Sequence, residues 1–203
     1  MFTHAHRAVP WTLVLVSSAM IAAMVGLVGR WPGSMWPLEG AAVGVLAGTA
    51  AWCLDEPSPE ISDAVPRHLR WRLAAQSLGI AIVGASWICS IVLFAGDLFG
   101  RKLDVLVQGA SATAVVVGIA AWQRSRGVGQ PGRVMAPYVV LLTVAVAVAR
   151  PLPDLVPLFP SPLNGPWDQS RLLWSALAAL GGAALLHAIL DRGWKTRRGT
   201  AKP

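Results

Sequence analysis

Four of the ten acidic residues stand close together as Asp55, Glu56, Glu60 and Asp63, and Arg67, Arg70 and Arg72 follow at once. The chemistry this pattern offers is recognition: a carboxylate cluster complements a basic patch, and Ile61 and Val65 beside it supply apolar anchors. The plainer alternative is that the acids keep a loop soluble while the arginines hold orientation. Bond-making chemistry has little to work with. His4 and His6 have no third ligand nearby, His187 and Asp191 suit a hydrogen-bonded pair better than a proton relay, and Cys53 and Cys89 fall in apolar runs. Gly127, Gly129 and Gly132 match G-x-G-x-x-G, but no strand precedes them and Pro131 interrupts the pattern, so the stretch reads as a flexible loop. No H-E-x-x-H, P-loop lysine or G-x-S-x-G elbow occurs. The expectation is therefore no enzyme, no metal and no bound cofactor.

The elements around the cluster are apolar. Of 203 residues, 55% are hydrophobic and 13% charged, about half the charge of an average soluble domain. Several runs reach the roughly 20 residues that cross a bilayer. The sequence predicts one all-α transmembrane domain over residues 1–203, with spans at about 11–29, 37–54, 73–95, 104–122, 134–150 and 170–190. Gly40, Gly44 and Gly48 place small residues on one face of the second span, where another helix backbone can approach. Glu39, near the start of that span, suits headgroup depth at a helix N-terminus, with a gating role as the weaker alternative. Between the second and third spans, Ser58 as N-cap, Pro59 at the first helical position and Glu60 in the first turn predict a short helix over 59–65 that Pro66 ends. The proline-rich connection 151–169 has an apolar centre, Leu155 to Phe159, and predicts a partly re-entrant excursion.

Net charge is +7. The positive residues lie in short loops between apolar runs, so they indicate orientation rather than nucleic acid. Only Arg30, Arg101, Lys102, Arg150 and Arg171 of the 17 Lys and Arg fall opposite the termini. That bias puts both termini and the 55–70 segment in the cytoplasm of a cell-membrane protein.

Leu54-Asp55-Glu56-Pro57, followed by Pro66, Arg70 and Arg72, resembles the L-D-[DE]-P…P…R-x-R loop of small actinobacterial membrane proteins taken as permease subunits of ATP-binding-cassette (ABC) exporters. The predicted topology is also similar to the type 2 ABC export permeases. The resemblance implies a coupling segment, Asp55, Glu56, Pro57, Glu60, Ile61, Asp63, Val65, Arg67 and Arg70, docking on a separate cytoplasmic ATPase that carries ATP and Mg. It further implies a second permease subunit, as homo- or heterodimer, and export of an amphipathic substrate. The alternative is a non-transporting accessory or scaffold subunit of a membrane complex, which the glycine stripe and the scarcity of polar residues in the spans also suit.

Overall fold

A computed structural model describes residues 9–55, 69–96, 98–149, 156–160 and 165–190. Among them are six α-helices: α1 (Trp11–Arg30), α2 (Met35–Cys53), α3 (Leu69–Leu93), α4 (Lys102–Ser125), α5 (Pro131–Ala149) and α6 (Trp167–Leu190). Each overlaps one predicted span. The helices α2 to α6 begin before their predicted spans, and α4 also outlasts its run. Helical hydrogen bonding continues through Arg70, Lys102 and Arg124 because leaving backbone groups unpaired costs more than extending a helix into polar sequence. Pro131 opens α5, where its missing N–H is no loss.

Among the described residues, five of the six helices are long and apolar enough to cross a membrane. The exception, α2, is the central helix. It packs against α1, α3, α4 and α5, while α6 rests mainly on α4. Ala42, Val43, Leu46, Ala47, Ala50 and Ala51 of α2 are all buried. A helix screened by its neighbours can carry Pro37, Glu39 and three stripe glycines that would weaken a lipid-facing span. The outer faces are apolar instead: Leu15, Met20, Ile88, Val92, Leu141, Leu142, Leu172 and Leu180 are exposed. A water-soluble surface rarely presents apolar area on that scale, whereas hydrocarbon solvates it. The protein is a multi-pass membrane protein.

Glycine decides the closest helix approaches. A Cβ on Gly40 or Gly44 would run into Ala147 or Thr143 of α5, and one on Gly48 would sit 3.2 Å from the Ala136 carbonyl. The stripe is thus the contact face between α2 and α5. Gly118 and Gly181 bring α4 and α6 together in the same way, each lying against the other helix's backbone. Where α1 crosses α2, Thr49 donates to Ser17 at 2.7 Å in a buried hydroxyl pair. The apolar core runs between these contacts, from Ile21 and Val25 through Val43, Leu46 and Val83 to Trp87, Ile91 and Val116.

The expected excursion before α6 is partly described. Phe159 is buried against Trp174, ring centroids 5.9 Å apart in an edge-on arrangement, and the Leu158 carbonyl takes the Trp174 indole N–H at 2.9 Å. Gln108 Nε2 and the Ser170 hydroxyl also approach that carbonyl, each at 3.3 Å. A backbone carbonyl packed among apolar side chains needs donors, and three side chains of α4 and α6 provide them.

Candidate functional site

The site is built where α2 ends. Its last turn is all apolar or small, and Leu54 and Asp55 close it with amides bonded to Ala51 and Trp52 carbonyls at 3.0 Å. That leaves two carbonyls and one carboxylate at the helix end needing partners, and three neighbouring helices supply them. The Asp55 carboxylate accepts the backbone N–H of Gly132 at 2.8 Å and that of Arg133 at its other oxygen. These are two of the first-turn amides of α5, which have no partner within their own helix. Asp55 therefore caps α5 from another helix. The contact requires Gly132, since a Cβ there would collide with the Ala51 carbonyl of α2.

Arg124, buried in the last turn of α4, supplies the second half of the junction. Its Nη1 donates to the Leu54 carbonyl and, at 2.8 Å, to Gln76 Oε1 of α3. Gln76 Nε2 then approaches the Asp55 carbonyl at 3.3 Å. One aspartate, one glutamine and one arginine so join four helices in a single buried polar network. A network of this kind is stable only when its members are satisfied together. Burial pushes the Asp55 carboxyl above the usual carboxylate range, against the Gly132 and Arg133 amides and the Arg124 and Arg133 charges, which pull it down.

The sequence-predicted residues distribute unevenly around this junction. Asp55 faces inward, bonded within its own chain, so its carboxylate is not offered to a partner in this arrangement. Arg70 lies in the first turn of α3. Glu56, Pro57, Glu60, Ile61, Asp63, Val65 and Arg67, and the helix expected over 59–65, lie outside the described residues. Gly40, Gly44 and Gly48 run along α2 away from the junction and face α5.

Two junction residues were read differently from the sequence: Arg124 is expected only as an orientation charge and Gly132 as part of a flexible loop, whereas Gln76 is a polar side chain that hydrogen-bonds between helices, as polar residues within spans are expected to do. Gly132 instead lies in the first turn of α5, and the loop is a defined turn. Gly127, at φ +92°, follows the α4 C-cap, with its N–H bonded to the Arg124 carbonyl and that of Val128 to Gln123. This is the double-bonded glycine stop that ends many helices. The available signal was Gly127 one residue past a basic helix end, with Pro131 opening the next helix.

Other polar groups lie at the opposite end. Glu39 is buried and borders a small cavity of about 20 Å³, together with Val25, Leu38, Trp87, Ile91 and Val105. Asp104, buried in the first turn of α4, takes the Arg171 guanidinium of α6 at 2.7–2.8 Å and lies 3.7 Å from Arg101. His187 is exposed on α6, and Asp191 lies outside the described residues. Cys53 is buried and Cys89 exposed. Among the described residues no group of three His, Cys, Asp or Glu side chains is arranged to hold a metal. Comparison with protein-family models, curated proteins and solved structures finds no match.

Proposed function

We propose that this chain is a permease subunit of an ABC exporter, driven by a separate cytoplasmic ATPase that binds ATP and Mg and engages the segment after Asp55. In this reading α2 crosses the membrane with the other five helices. Both termini and the Asp55 end then lie in the cytoplasm of a bacterial cell, the side favoured by the lysine and arginine bias. A second permease subunit completes the transporter, and the cargo is amphipathic, in keeping with spans that carry few polar groups.

The observation that carries the reading is the junction at Asp55. The acidic segment begins at Asp55, a point where, among the described residues, α2, α3, α4 and α5 are tied by hydrogen bonds to the same two residues, Leu54 and Asp55, directly or through Gln76. A solvated loop needs no such root. A segment that receives a push does, because force applied at its base then reaches four helices instead of one. Glu56, Glu60 and Asp63 supply the charge complementarity, with Ile61 and Val65 as anchors.

Affinity purification in mild detergent from the native host tests the reading. Wild-type protein is expected to bring down a stoichiometric ATP-binding-cassette ATPase. Replacing Glu60 and Ile61 together with alanine should abolish that association while the helices still assemble, as judged by an unchanged thermal midpoint. An ATPase that stays bound to the double variant would remove the coupling role from this segment. Co-purification of other membrane subunits alone would favour the accessory reading, which suits the close α2–α5 and α4–α6 packing.

A further inference from the structure

At the Asp55 end, two arginines are arranged unlike ordinary loop charges. The Arg126 guanidinium lies 4.2 Å from the centre of the Trp122 ring, and the Arg133 guanidinium 5.9 Å from that of Trp52. Arg126 closes α4 and Arg133 opens α5, so both stand at the base of one tight turn whose tip carries the exposed Val128. Both arginines are exposed, and among the described residues neither forms an ion pair. The acid of this junction, Asp55, is buried with its oxygens on the Gly132 and Arg133 amides.

We propose that the Trp122–Arg126 and Trp52–Arg133 pairs form a binding site for the phosphate of an anionic phospholipid in the surrounding bilayer. A guanidinium held beside an indole by a cation–π contact keeps its N–H donors free for a further acceptor, and their planar fork matches a phosphate. The indoles suit the boundary between acyl chains and headgroups, and Val128 adds apolar surface at the same level. Charge complementarity names the occupant. Two exposed arginines at the end of a membrane bundle face lipid phosphates at high local concentration, and a net negative headgroup is preferred over a zwitterionic one. The proposal needs only that this end lies at a membrane surface, and it is independent of any ATPase.

The test uses full-length protein reconstituted in phosphatidylcholine vesicles doped with either brominated phosphatidylglycerol or brominated phosphatidylcholine. Quenching of Trp122 is read as the difference from a Trp122→Phe sample. Phosphatidylglycerol should quench at a mole fraction about 30-fold lower than phosphatidylcholine, which corresponds to about 1 kcal/mol per basic residue. The R126A/R133A variant should bring the two lipids together, while R30A/R101A, altered at the opposite end, should keep the wild-type preference. Because alanine at both positions can loosen the turn, R126K/R133K is measured alongside. It keeps the charge, loses the planar fork and should retain only part of the preference. Equal quenching by the two lipids in wild type, a lysine pair indistinguishable from wild type, or displacement of the lipid by soluble glycerophosphate would each overturn the proposal.

Discussion

Asp55→Ala tests whether the junction is the structural root that its geometry implies. The substitution removes both acceptors from the Gly132 and Arg133 amides. Those amides belong to the first turn of α5, and Asp55 is their acceptor from across the junction. A buried donor left without an acceptor costs about 1–3 kcal/mol. Arg133 sits at the exposed edge of the junction, where water can replace part of the loss, so the lower half of the range applies. The expected destabilisation is about 2–4 kcal/mol, or a fall of about 4–16 °C in the unfolding midpoint of a chain this size. Asp55→Asn separates acceptor from charge. Burial already pushes the carboxyl up, so removing the charge costs little, and the amide oxygen keeps one of the two bonds. It should lose about half as much as alanine. Thermal unfolding of purified protein in a mild detergent, followed by far-ultraviolet circular dichroism, measures both. An alanine variant within about 0.5 kcal/mol of wild type, the range of a neutral surface change, would show that Asp55 is not structural. An asparagine variant as poor as alanine would show that charge, not acceptance, holds α5 in place.

Two further outcomes follow from single contacts. Gly132→Ala puts a methyl group into the Ala51 carbonyl of α2, where backbone meets backbone and neither helix has a side chain to move aside; it should destabilise by at least as much as Asp55→Ala, measured in the same unfolding assay, and α5 amides should exchange with deuterium faster. Trp174→Phe keeps the packing on Phe159 but removes the N–H that the Leu158 carbonyl accepts at 2.9 Å. About 0.5–1.5 kcal/mol should be lost, with protease sensitivity rising in the 150–166 connection before the bundle unfolds.

The helices were legible because each carries its own apolar run, and run length is read directly from composition. Their ends were not, since Arg70, Lys102 and Arg124 continue helices for reasons that lie in backbone bonding rather than in hydropathy. The glycine stripe of α2 announced a close helix approach, but not that α5 would be the partner, because pairing depends on where the connections allow helices to lie. Asp55 shows the same limit more sharply. Its sequence neighbours are acidic, so it groups naturally with Glu56, Glu60 and Asp63 as outward charge. Its fate is decided by two amides 77 and 78 residues away. Arg124 and Gln76 had no local signal beyond being polar near the ends of apolar runs. Gly132 did have one, a glycine directly after a helix-opening proline, and the formal dinucleotide motif around it obscured that simpler meaning.

The bundle divides into two tightly packed pairs whose connection is unequal along its length. Stripe glycines weld α2 to α5, and Gly118 with Gly181 welds α4 to α6. At the Asp55 end the pairs are joined by a charged hydrogen-bonded tie, Arg124 of α4 on Leu54 of α2 with Gln76 of α3 between them. Towards the opposite end, the described core between α2 and α4 is largely apolar, with Leu46 and Val105 among its side chains, and a small cavity beside Glu39 lies between α1, α2 and α3, with Val105 of α4 at its edge. Directional bonds resist a change of angle, whereas apolar contacts slide at small cost so long as area stays buried. If the coupling reading proposed above holds, a displacement applied at Asp55 is expected to carry α5 with α2 as one body, with relative movement between the two pairs taken up in the apolar contacts rather than at the hydrogen-bonded tie.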